Sequence, residues 1–518
     1  MNYKSKICFL IFTFFISLLS AQNFDNEANK IIEIAQEENQ TMKHLDILTN
    51  RIGGRILGSS AYESAVKWTA QLFKEWGYDV EVIEAGELPV GFNRGAAWGK
   101  MMGEGEIILH FVTPSYTVGT KGIQKGHVLE EPKTQAEFDR MKTALKGAWV
   151  LISGKNEGYP INWTKKGDEE REEIIRKNEE ITARNNEIKK WNKENTDSVQ
   201  KEVEKLLDAP ALFYRQMVDA GILGIIQSAA VPLQVMYDRK SLDSMTFDHL
   251  PPVPDIKLDE HQYKTILQHV KERRRIELEI EIRNHFRPGP IKYHNVIATM
   301  KGTKYPDEYI MKGGHLDSYD VATGAIDCGT GVITALEVAR LIAKSGIKPK
   351  RTLVFCLWAG EEFGLLGSKH WVETNQDKWK CIINYFNRDG GPTASDALTV
   401  PPGWYPIMKP ICEPLNRINP EIPFTLKQRE GEAPEVPKEA GGSDHAHFAM
   451  NGIPTLYVSG SDPLGYNFSY REIWHTERDI FNKSIPVYME HSAIVEAIIM
   501  LGMANTKEKF PLEEVYKK

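Results

Sequence analysis

Between Gly313 and Gly391 the chain sets His315, Asp317, Asp327, Glu361, Glu362 and Asp389 just beyond short apolar runs and beside glycines. Tyr309 to Met311, Thr352 to Trp358 and Ile382 to Phe386 are apolar or β-branched runs of strand length. Val332 to Ala343 and Gly364 to Val372 carry helical spacing between them, so the order is strand, helix, strand, helix, strand. That order predicts an α/β fold with a mixed, mainly parallel sheet and helices on both faces. In such sheets ligands bind beyond the strand C-termini, which is where these acids fall.

Four or five carboxylates gathered at one sheet edge repel unless they are protonated or neutralised, so the cluster calls for divalent cations. Zinc accepts both imidazole nitrogen and carboxylate oxygen, and two zinc ions roughly 3.5 to 4 Å apart can share one carboxylate. Two ions per chain are expected. Taken singly, a histidine before a turn is usually structural and a Glu-Glu pair commonly favours a helix start. The joint pattern is what points to metal chemistry: H-x-D, a second Asp ten residues on, E-E after an apolar strand, and Asp before Gly-Gly.

GGHLDSYDVATGAIDCGTG, KPKRTLVFCLWAGEEFGLLGS and IWHTERD resemble the metal-site motifs of the co-catalytic zinc exopeptidases of clan MH. Within that clan the chain is most similar to the carboxypeptidase Q and secreted aminopeptidase group, over most of its mature length. Chain order alone leaves His370, His445, His447 and His475 open as the last ligand, and the resemblance of IWHTERD selects His475. The resemblance implies His315, Asp327 and Asp389 on one zinc and Asp327, Glu362 and His475 on the other, with Asp327 bridging. It implies that Asp317 accepts the other ring N–H of His315 and that Glu361, unliganded, moves protons. Asp444 and His445, in GGSDHAHF, are implied to line the substrate pocket. Cys328 departs from the pattern, because relatives carry Asn or Asp after the bridging residue, and the peptide bond there is often cis.

The implied reaction is hydrolysis of short peptides or dipeptides by a metal-activated water, without a covalent intermediate. Whether the free amino or the free carboxyl end is recognised stays open. A glutaminyl cyclase with one zinc and a ligand-poor binding protein are the alternatives, and the full ligand set argues against both.

At 518 residues, 41% hydrophobic, the chain is long enough for more than one domain, and a net charge of only −7 argues against a nucleic-acid partner. Lys4 and Lys6 precede the apolar run Ile7 to Leu19 and then Ser20-Ala21, which reads as a signal peptide over residues 1–21 of an exported, secreted or periplasmic protein. No membrane span is expected after its removal. Cys328, Cys356, Cys381 and Cys412 remain, with no disulfide framework indicated.

A first part of the catalytic domain is expected over 22–119, an inserted domain over 120–285 and the metal-site part over 286–518. GAWVLIS and GILGIIQ within the insert resemble a protease-associated (PA) domain, which in the family caps or borders the site. Inside it, residues 165–207 are dense in charge, with Ile174, Ile181 and Ile188 seven apart, and predict a solvated helical excursion. A homodimer is left open.

Overall fold

The computed structural model describes residues 24–103, 105–237 and 242–517, so the expected signal peptide lies outside the described residues. The chain forms two compact units. One gathers the residues up to Glu87, Lys292–Trp474 and Arg478–Lys518, and the other Leu88–Ile291 and His475–Glu477. The junctions fall near 87 and 291, where sequence reading places them near 119 and 285. No break in patterning marks them, because two long strands, β1 (Asp79–Asn93) and β2 (His285–Met300), run through both.

The first unit is built on β1, β2, β3 (Tyr305–His315), β4 (Arg351–Trp358) and β5 (Ile382–Asn387), ordered β1-β2-β4-β3-β5. β3 runs parallel to both β4 and β5, and β2 runs antiparallel to β4, which makes the sheet mixed as the motif order predicts. All eight residues of β4 are buried. Its alternating side chains serve both faces: Val354, Cys356 and Trp358 pack with Trp371 and Phe448, whereas Phe355 meets Phe73 and Tyr78. Helices therefore cover the two sides. Phe73 comes from α1 (Ser60–Glu75) and Trp371 from α3 (Leu366–Thr374).

α2 (Thr330–Ser345) and α4 (Pro486–Asn505) pack together, and nearly every residue of α4 is buried. Among the described residues α4 is the one helix long and apolar enough to cross a membrane, and here it is a core helix. The Pro-rich stretch from Pro392 to Pro437 is more ordered than its composition suggests. Ala394–Val400 pairs with Thr425–Gln428 and Val458–Ser461 in a three-stranded sheet. Ala394, Leu398 and Val400 supply its buried side, a period of two that the surrounding prolines mask in the sequence.

The second unit carries an eight-stranded sheet with the helix Glu260–Lys271 packed on it through Tyr263 and Ile266. Glu277–Ile282 is antiparallel to both its neighbours, so the alternating Glu/Ile pattern marks an interior strand with one polar face rather than an edge strand. The charged excursion is a 30-residue helix, Lys165–Glu194, with a returning segment laid along it. Asn178, Asn185 and Asn192, seven apart, each donate to and accept from one backbone position of that segment, at Leu207, Glu204 and Lys201 in turn, at 2.7–2.9 Å. The heptad is thus carried by amides beside Ile181, not by the isoleucines alone. A side-chain amide matches one backbone donor and one acceptor, so the returning segment is held without being part of a sheet.

Candidate metal centre

Register brings the ends of the three parallel strands level. His315 closes β3 opposite Trp358 of β4, and Gly313 lies opposite Asn387 of β5. Glu361 and Glu362 follow β4 directly, and Asp389 follows β5. Asp327 comes from the turn Ala325–Gly329 ahead of α2, where the Asp327–Cys328 peptide bond is cis.

His315 is fully buried and its tautomer is fixed by its neighbours. The main-chain oxygen of Asp317 lies 3.0 Å from Nδ1, and a carbonyl can only accept, so Nδ1 carries the proton. In the neutral ring Nε2 then presents a lone pair to the Asp389 and Asp327 oxygens, 3.1 and 3.2 Å away. Three lone pairs facing one another need a cation or a proton between them. Burial by itself would lower the His315 pKa, but Cys328, Asp389 and the other acids around it raise it well above the usual imidazole range. Burial pushes Glu361 up to about 10, with Glu362, Asp389 and Asp444 adding to the rise, and raises Glu362 well above the carboxylate range alongside Asp327. The donor set fits a divalent ion: ligand atoms of His315, Asp327 and Glu362 lie within 4.8 Å of one another, as do those of His315, Cys328 and Asp389.

The Asp317 carboxylate has a different place from the one the motif suggests. Its Oδ1 stands 3.7 Å from His315 Nδ1, and its two oxygens accept the backbone N–H groups of Glu361 at 3.1 Å and Glu362 at 3.3 Å. Asp317 thereby ties the β3 exit to the β4 exit. Asp444 is fully buried, with its pKa pushed up to about 7 by burial, and His445 beside it is half-buried. His475 falls in the second unit, where its Nδ1 lies 3.1 Å from the Met236 sulfur. Among the described residues Cys328, Cys356, Cys381 and Cys412 are free.

Below the acids, Arg388 bonds Glu496 at 3.0 Å, Glu496 pairs with the buried Lys312, and the Arg388 carbonyl accepts the Cys328 thiol at 3.3 Å. Lys312 breaks the apolar run of β3, a signal readable as a buried ion pair only once its partner on α4 is known.

Residues 295–498 match the model of peptidase family M28. Carboxypeptidase Q of Mus musculus is 23% identical over 500 residues, 94% of this chain and 91% of that protein. Carboxypeptidase Q of Bos taurus is 28% identical over 225 residues, 42% of this chain and 43% of that protein, so that alignment spans less than half the relative's length. A peptidase M28 precursor from Shewanella amazonensis superposes with a TM-score of 0.57 at 19% identity, covering 95% of this chain and 98% of that one. A zinc aminopeptidase from Bacillus subtilis does so with a TM-score of 0.51 at 16% identity, covering 92% and 97%. The family match covers residues 295–498, and over most of the chain the fold is that of an M28 peptidase precursor and a zinc aminopeptidase.

Proposed function

We propose that this chain is an exported zinc-dependent exopeptidase acting on short peptides. The observation that carries the reading is the His315 Nε2 lone pair facing Asp327 and Asp389 at 3.2 and 3.1 Å, in a chain whose relatives are named carboxypeptidases and aminopeptidases. The ligands of one ion would be His315, Asp327 and Asp389. Those of a second would be Asp327, Glu362 and, on the strength of IWHTERD, His475. When bound, zinc supplies Lewis acidity, which polarises a scissile carbonyl and lowers the pKa of a water toward about 7.

The chain's own groups do the rest. Asp317, by holding the N–H groups of Glu361 and Glu362, fixes where the two neighbouring carboxylates leave the strand. Glu362 is the ligand of the pair. Glu361, half-buried, takes a proton at its carboxylate and returns it to the leaving amine. Export is proposed from the charged-then-apolar start of the sequence. Digestion of a short peptide library with blocked and free termini, by zinc-loaded protein, tests the reading. Cleavage that needs one free terminus is expected, and efficient internal cleavage of peptides blocked at both ends contradicts it.

A further inference from the structure

His315 and Asp327 stand at the two ends of one loop, and that loop is held from outside by two residues distant in sequence. Arg55 is fully buried, yet the acceptors of its four side-chain bonds are all main-chain carbonyls. Its Nε donates to the Leu316 carbonyl at 2.8 Å, Nη1 to those of Thr323 at 2.9 Å and Gly53 at 3.1 Å, and Nη2 to that of Gly324 at 2.9 Å. Its main chain exchanges two more bonds with Ser318, at 3.0 and 3.2 Å. Gly54, one residue before, lets the backbones meet: a Cβ there would sit 2.5 Å from the Ala322 oxygen. Gly324 is left-handed with φ +61°, and a Cβ there would fall 2.2 Å from the Ser318 hydroxyl.

The far end of the loop is held by Asp479. Its carboxylate accepts the N–H of Ile326 at 2.6 Å and that of Asp327 at 3.2 Å, and its carbonyl accepts the N–H of Thr323 at 3.1 Å. A fully buried guanidinium spent on neutral carbonyls is costly unless each bond is well made, and a planar fork of donors can fix several carbonyls at once.

We propose that Arg55 and Asp479 are positioning residues that clamp the His315-to-Asp327 loop and so set the geometry in which its two ends meet a metal ion. Neither touches substrate or metal. Because Asp327 is proposed to serve both ions, loosening the clamp weakens metal binding as a whole. A residue that only stabilises the fold would instead lower the melting temperature of metal-free and metal-loaded protein alike.

This rests on the metal reading above, and the experiment separates the two. Full-length wild type, Asp479→Asn, Arg55→Lys and Arg55→Gln are stripped of metal and titrated with Co²⁺ against a chelator, following the cobalt absorption spectrum. Melting temperature is measured with and without ion. Asp479→Asn is isosteric but can no longer accept both N–H groups, and its metal affinity is expected to fall by about 10- to 100-fold. Its metal-free melting temperature should move little, and the rise on adding metal should shrink. Arg55→Lys should retain more affinity than Arg55→Gln; should Arg55→Gln fail to fold, Asp479→Asn alone decides. Variants that bind Co²⁺ with the wild-type affinity and spectrum overturn the clamp while leaving the metal reading intact. A wild type that takes up no Co²⁺ overturns the metal reading and this proposal with it.

Discussion

The Asp317 carboxylate accepts the backbone N–H of Glu361 at 3.1 Å, and through this bond the turn after β3 sets the turn after β4. Its other oxygen serves Glu362 in the same way, so one side chain orients both acids. In Asp317→Asn one of those acceptors becomes a donor pointed at an N–H. Zinc affinity is expected to drop by about 10- to 100-fold, the range for groups that orient ligands, read by competition with a chelator. Unchanged affinity would show that the two glutamates are placed by other contacts.

Glu361 and Glu362 are expected to fail differently. Glu361→Gln should keep near-normal metal content and lose about 10²- to 10⁴-fold in kcat, the usual worth of general acid–base catalysis. Glu362→Gln should lose metal, because an amide oxygen is a poorer ligand than a carboxylate, and added zinc should restore part of the activity. Metal stoichiometry and kcat for both variants test the assignment, and the opposite pattern would reverse it.

Metal-free protein should lose stability as pH rises from 7 to 9. In that window Glu361, pushed up to about 10 by burial, and His315, raised by the acids around it, hold protons in the folded state that they release on unfolding. The folded state thus binds more protons than the unfolded one, and stability falls by up to about 1.4 kcal/mol per pH unit for each such proton. His44 and His491, lowered to about 4 by burial, act in the opposite sense between about 4 and 6.5, and Lys257 and Lys312, lowered by burial, oppose the trend below 10.5 in both forms, so the comparison between forms is what decides. Bound metal replaces the protons, so the loaded protein should show a flatter slope. Calorimetric melting of both forms across the window checks it, and parallel slopes would count against a shared site for protons and metal.

The arm offers a test independent of catalysis. Asn185→Ala removes both bonds to Glu204, each worth about 1 kcal/mol net, and leaves that backbone position without its partner. Limited proteolysis should then cut within residues 195–208 faster, with little change in overall melting temperature. Equal cutting rates would mean that the other two amides suffice.

What the sequence displayed and what it hid divide along range. The runs that became β4 and β5 and the helix α2 were readable because their patterning is local: eight buried residues in a row, or a helical stripe bounded by glycine. The acids at the strand ends were readable for the same reason. Arg55 was not, since its carbonyl partners lie 261 to 269 residues away apart from Gly53, and an arginine in NRIGGR reads as a surface charge. Asp479 likewise acts across 152 and 153 residues. Asp317 was seen as an acid beside a histidine, but which hydrogen it accepts depends on where β4 ends in space. The strand Ala394–Val400 was obscured by the prolines around it.

The most direct measurement is hydrolysis of a short peptide with a free terminus by the same preparation before chelation, after exhaustive removal of metal, and after zinc is returned. Activity should vanish with the metal and come back with zinc, with the metal content rising in step. Full activity in a sample shown by elemental analysis to hold no metal would contradict the account.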